Sequence, residues 1–224
     1  MKLCYKTIIL SLFLYTFSVQ AQIVSYLEWS EPIAVTADDS YDNVGPQVVF
    51  ANEKPVILWA KQSTQRYYIA TWNDTNFNEP LELNTDGVTP FVSSIEGATM
   101  AAFQNNIYIA WGAQTTSQGI FVSRSTDGGH TFELPVQITA EAGRYFSLPS
   151  VSINKTGNPV VSYISTTSSW QDAQYYVVNS VDGGQTYEAA VQANSNAEGG
   201  LVCECCPATI IANDEMQVLM FRNN

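Results

Sequence analysis

The side chains best equipped for chemistry are three cysteines crowded into Cys203-Glu204-Cys205-Cys206, followed directly by Pro207. Thiols at this spacing have two main uses. In an exported chain a disulfide is the first expectation, with a vicinal Cys205–Cys206 bond or a bond to a cysteine elsewhere as its forms. The second is a site for a soft metal such as copper or zinc, built from thiolates and Glu204. A free thiol is the third.

Other groups carry weaker signals. Asp38, Asp39 and Asp42, with Tyr41 between them, offer the hard oxygen ligands that suit calcium. They lack a full calcium-loop spacing, so a solvated acidic loop is the plainer reading. Arg144-Tyr145 could grip a carboxylate and stack on a sugar ring, or form an ordinary surface pair. Trp170 is either a sugar platform or a loop anchor, with Asp172 beside it; Glu96 is an isolated acid in a long connection. His130 is the only histidine, which argues against a Ser-His-Asp triad or a histidine-based metal site on this segment.

Something must position these groups, and the sequence is repetitive in a way that says what. Ser125-Thr126-Asp127-Gly128-Gly129-His130-Thr131-Phe132 recurs as Ser180-Val181-Asp182-Gly183-Gly184-Gln185-Thr186-Tyr187. The two copies lie about 55 residues apart, a period typical of repeat folds. Each sits between strand-like runs. The glycines supply the φ > 0 of a tight hairpin, and the Ser, Asp and Thr side chains can bond the turn backbone. Asn73 to Phe77 is a degenerate third copy. Strands are predicted over 47–51, 55–60, 66–72 and 79–83; over 98–103, 107–112, 119–125 and 134–139; over 149–153, 159–164, 174–180 and 189–193; and over 208–212 and 216–221. Trp29-Ser30-Glu31-Pro32 begins a run that matches the last strand of each unit, so 29–36 is predicted to be a strand without its own blade.

The repeated motif, at Ser125, Asp127, Gly129, Thr131, Phe132 and at Ser180, Asp182, Gly184, Thr186, Tyr187, resembles the Asp box, or bacterial neuraminidase repeat, of sialidase-like β-propellers. The resemblance implies an all-β fold of four-stranded antiparallel blades, with the boxes as structural turns on the rim. About three and a half blades are present, and a six-bladed ring of roughly 310 residues is expected for the whole protein. It also implies a sialidase site with three arginines, a Tyr–Glu nucleophile pair and an Asp acid/base. The family's early Arg-Ile-Pro tripeptide is absent, and Val44-Gly45-Pro46-Gln47 at the corresponding place carries no arginine.

The connectivity sorts the loops onto two faces. The boxes and the short turns at 52–54, 104–106 and 154–158 share one end. The long links at 37–45, 85–97, 140–148 and 194–206, with 165–173, share the other, and that face holds Asp38, Asp39, Tyr41, Asp42, Glu96, Arg144, Tyr145, Trp170, Asp172, Glu198 and the cysteines. Loops on a rigid scaffold are where sites usually lie.

The net charge of −12 argues against binding nucleic acid or an anionic membrane. Residues 1–21 read as a signal peptide, with Lys2 and Lys6, an apolar core over 8–19 and Val19-Gln20-Ala21 before the cut. The expected protein is secreted, periplasmic or on the cell surface, with no membrane span in the mature chain. Three functions remain: an extracellular module binding glycan or protein, a sialidase-type glycoside hydrolase with an altered site, and a metal or redox protein centred on the cysteines.

Overall fold

The computed structural model describes residues 30–36, 42–115, 118–139, 141–194, 202–213 and 215–222. The predicted signal peptide, together with Asp38, Asp39, Tyr41 and Glu198, lies outside them. The chain divides into Met1–Pro32 and Ile33–Asn224, and every strand described below belongs to the second unit.

The fold is an all-β propeller. The first blade is β1 (Asn43–Ala51), β2 (Lys54–Lys61), β3 (Arg66–Thr71) and β4 (Leu81–Glu82). The second is β5 (Thr99–Phe103), β6 (Asn106–Gly112), β7 (Ile120–Ser125) and β8 (Val136–Gln137). The third is β9 (Tyr145–Ile153), β10 (Pro159–Thr166), β11 (Gln174–Asn179) and β12 (Val191–Gln192), and β13 (Thr209–Ala212) pairs with β14 (Gln217–Met220). Each blade is an antiparallel meander in chain order, because each successive pair is joined by a tight turn or short loop.

The middle strands are apolar on both faces, since blades stack on either side of them; β6 from Ile107 to Gly112 is buried throughout. Trp111 is fully buried, stacks on Phe121 at 4.7 Å and donates its indole N–H to Ser123 Oγ at 3.0 Å. Hydroxyls on one innermost strand bond the next. Thr99 Oγ1 accepts from Val151 N at 3.1 Å, and Ser150 and Ser152 Oγ accept from Ile210 N at 3.2 Å and Ala212 N at 3.1 Å. These bonds join neighbouring sheets near the axis, where no backbone ladder can form.

The predicted fourth strands are longer than the observed ones. In the second blade Glu133 N bonds Arg124 O and Ile138 N bonds Ile120 O, but the ladder between them is only Val136–Gln137. Pro135 and Pro80 enter these strands without an N–H to donate, which shortens the pairing there. The described part of the predicted strand at 29–36 forms none: residues 30–36 make no ladder.

The two repeated motifs fold into the same turn. Ser125 Oγ donates to Asp127 Oδ1 at 2.8 Å and accepts from Gly129 N at 2.9 Å, and Asp127 takes the N–H and hydroxyl of Thr131 at 2.9 and 2.6 Å. Ser180, Asp182, Gly184 and Thr186 repeat these bonds at 2.9, 2.8, 2.9 and 2.5 Å. Phe132 and Tyr187 tuck against the core half-buried. The second glycine of each motif rests on the preceding blade. A Cβ on Gly184 would come within 2.7 Å of Tyr108 Cε1, and one on Gly129 within 3.2 Å of Thr71 Cγ2.

Candidate functional site

At the end opposite these turns, the innermost strands of four successive sheets surround a cavity of about 220 Å³. Gly45 and Gln47 come from β1, Ser93 to Thr99 from the link into β5, Leu148 and Pro149 from β9, and Pro207 from the approach to β13. Two of these strands are bulged where they reach it. The β1–β2 register slips between Val44 and Gln47, with Gly45 at φ +59°. The β9–β10 register slips between Ser162 and Ile164, opposite Leu148 at φ +52°. A left-handed leucine costs about 1–3 kcal/mol of strain, and bulges of this kind re-aim a strand beside a site.

Glu96 holds this arrangement. Its Oε1 accepts the Leu148 N–H at 2.9 Å, tying the second blade to the bulge of the third. Burial pushes its carboxyl above the ordinary value, and the Leu148 N–H only partly counters that. Tyr67, fully buried nearby, has its phenol raised by burial and then by the Glu96 charge; its hydroxyl donates to Phe91 O at 3.2 Å. Among the described residues lining the cavity Glu96 is the only carboxylic acid.

The other candidates are placed differently. Arg144 is committed within the fold: Nε donates to Ser165 Oγ at 2.9 Å, Nη1 to Asp172 Oδ2 at 2.8 Å, and Nη2 to Ser165 O at 3.0 Å and Asp172 O at 2.9 Å. A guanidinium so engaged braces the β10–β11 hairpin against β9, its fork already occupied within the fold. The same Arg144 bond, then one from Gln174, holds the Asp172 carboxyl below its ordinary range. Tyr145 is half-buried at the start of β9. Asp42 is also occupied: its carboxylate accepts both the N–H and the hydroxyl of Ser63, closing the β2–β3 turn. Trp170 stands at the tip of the 167–172 loop, 50% exposed at φ +58°, its ring free to meet a partner.

The three cysteines stand as free thiols, with no disulfide among the described residues. Cys203 Sγ lies 3.3 Å from Cys205 Sγ and 2.9 Å from Cys206 Sγ. Hydrogen bonds from the Cys206 and Cys205 thiols, and then the Arg222 charge, pull the Cys203 thiol below its ordinary range, while Cys203 and Cys206 push the Cys205 thiol up to about 11. Two bonds hold the turn. Tyr175 Oη donates to Cys206 O at 2.6 Å, and Cys203 N to Arg222 O at 3.0 Å.

Gln47, Ser93, Leu148 and Pro207 were not singled out from the sequence. A signal for three of the four walls is present in it: Gly45-Pro46, Leu148-Pro149 and Cys206-Pro207 each place an X-Pro step at the entry to an innermost strand. A proline breaks the ladder there and makes room for a bulge or a loop.

No protein-family model matches the chain, and no curated protein does. Solved structures do. An α-L-arabinofuranosidase from Fusarium graminearum, bound to an iminosugar inhibitor, matches 80% of this chain and 58% of its own at TM-score 0.53 and 13% identity. A thermostable family-43 glycoside hydrolase matches 88% of this chain and 67% of its own at 0.51 and 12%. An ulvan lyase of polysaccharide lyase family PL25 matches 79% and 49% at 0.51 and 8%. At these identities the likeness is one of fold, and the chain spans well under two thirds of the arabinofuranosidase and the lyase. These neighbours are carbohydrate-active β-propeller enzymes.

Proposed function

We propose that the protein is an exported glycan-binding β-propeller of sialidase-like type, receiving a terminal sugar unit in the axial cavity beside Glu96. The observation that carries the reading is that cavity: four blades converge on it, two strands bulge toward it, and a half-buried carboxyl lies in its wall. Its volume, about 220 Å³, is below the usual range for drug-sized ligands and suits one sugar ring. Sugar hydroxyls are natural partners for Gln47, Ser93 and the free lone pairs of Glu96. Trp170, exposed on the same face, offers an apolar ring for sugar stacking. Fold analogy with carbohydrate-active neighbours supports the ligand class.

Binding is preferred to hydrolysis because glycoside cleavage generally takes two carboxyl groups across the scissile bond. Among the described residues the cavity wall supplies one, and Arg144, the obvious grip for a sialic acid carboxylate, is bound to Asp172 and Ser165. The test is a glycan array followed by calorimetry, run beside a panel of fluorogenic glycosides that includes a sialoside. The expected result is retention of a glycan, weakened by Glu96→Ala, with no turnover. Turnover lost in Glu96→Gln would make the protein a hydrolase, and retention of no glycan would sink the reading altogether.

A further inference from the structure

Outside the cavity wall, one cluster of chemically potent groups is left over. Cys203, Cys205 and Cys206 bring their sulfurs within 4.8 Å of one another, the one such group of possible ligands among the described residues. Two of the contacts, at 3.3 and 2.9 Å, lie inside the van der Waals separation of two sulfurs. Thiols crowded this closely repel unless a shared proton, a bond or a cation draws them together.

From this geometry we propose that Cys203, Cys205 and Cys206 form a three-thiolate site for a soft d¹⁰ cation, with Cu(I) as the fitting ion. A disulfide would use two sulfurs and strand the third, whereas a cation uses all three. A metal about 2.3 Å from each of three thiolates in a trigonal plane spaces the sulfurs by about 4.0 Å, so the Cys203 sulfur must part from its neighbours by about an ångström to admit the ion, within the 4.8 Å that already spans the group. No His, Asp or Glu joins the group among the described residues. Three soft ligands without a harder fourth suit Cu(I) better than tetrahedral Zn(II). The site also has a frame and an entrance. Tyr175 and the Arg222 carbonyl hold the turn. Arg222 Nη1, 3.9 Å from Cys206 Sγ, offsets thiolate charge, and exposed Cys205 opens to solvent while Cys203 is buried. Binding releases the thiol protons and needs no electron transfer. The ion would stiffen the turn that delivers Pro207 to the cavity wall, so the site stands apart from the identity of any glycan.

The experiment titrates the reduced protein anaerobically with Cu(I) against a chromogenic Cu(I) chelator, measures metal per chain by mass spectrometry, and counts free thiols by alkylation. One retained copper per chain, a thiolate-to-copper absorption and at least tenfold weaker retention in Cys205→Ser are expected. Cys205 is exposed, so that variant should keep its fold, which circular dichroism checks. Copper surrendered entirely to the chelator, equal retention by Cys205→Ser, or freshly purified protein with Cys203 and Cys206 already joined would each overturn the proposal. Zinc retained in preference to copper would overturn the choice of ion.

Discussion

The hydroxyl of Tyr108 lies 3.0 Å from the carbonyl oxygen of Gly183, in the repeated turn of the following blade, and 3.1 Å from that of Gly157 in the same blade's other turn. Tyr108 is wholly buried, and its ring also floors Gly184. One side chain thus locks two turns of the next blade onto its own. Tyr108→Phe removes the donor and leaves the carbonyls short of a partner, at about 1–3 kcal/mol. A thermal melt should fall by roughly 2–4 °C for each kcal/mol lost. No change in the melt would mean that the contact does not couple the blades.

The adjacent glycines separate backbone conformation from packing. Gly183 at φ +73° and Gly184 at φ +85° both disfavour a side chain, but only at Gly184 would a Cβ strike a ring, at 2.7 Å against 3.8 Å for its neighbour's nearest contact. Gly183→Ala should cost about 1–2 kcal/mol from the left-handed backbone alone, and Gly184→Ala clearly more. Denaturant midpoints that rank the two variants the other way would refute the packing of this turn on Tyr108.

The same turns set an acid limb of stability. The Thr186 hydroxyl and N–H, with Ser180 and Gln185, hold the Asp182 carboxyl at about 2, below its ordinary 3.8. Asp127 is also lowered: burial opposes the shift, but the Thr131 and Ser125 hydrogen bonds outweigh it. A carboxyl depressed in the folded state stabilises above its ordinary value, and that contribution is lost as pH falls from about 4 toward 2. Asp182→Asn should lower stability at neutral pH and flatten the decline over that window. An unchanged acid limb in the double variant with Asp127→Asn would place the acid sensitivity elsewhere.

Glu96 runs in the opposite sense. Its carboxyl is raised in the fold by burial, so its penalty is absent below the ordinary value of 4.5 and grows as pH rises through the folded one. Glu96→Gln keeps an oxygen for the Leu148 N–H and removes the charge. It should be more stable than the parent at neutral pH and equal to it in mild acid. Equal stability at both pH values would mean that the carboxylate is well solvated.

Arg144 and Trp170 divide structure from recognition on one face. Arg144→Ala should destabilise by about 1–3 kcal/mol, through the stranded Ser165 and Asp172 groups. Trp170→Ala should stay within about 0.5 kcal/mol of the parent yet weaken glycan retention. A stable Arg144→Ala variant that fails to bind would restore that arginine to the site.

The repeat told most of the architecture before any coordinate. Ser-x-Asp-Gly-Gly-x-Thr-aromatic is a local device, whose turn, hydrogen bonds and φ signs are all satisfied within eight residues, so its recurrence announced the blades and their strand order. The strand runs were legible for the same reason, as were the two faces of the ring, because a meander leaves its hairpins no other ends. What the tertiary structure alone decided is the fate of individual polar groups. The sequence allowed Arg144 a ligand, and packing gave it Ser165 and Asp172. It showed Asp42 only as an acid in a loop, and packing set it on the Ser63 N–H and hydroxyl. It left the cysteines open to a disulfide, a metal or a free thiol, and the turn brings their three sulfurs together. Glu96 was visible as an acid in a long link, but its contact with Leu148 spans two blades, and no local pattern records a partner 52 residues away. Chain order sets which strands pair; close packing between blades determines which side chains remain available for chemistry.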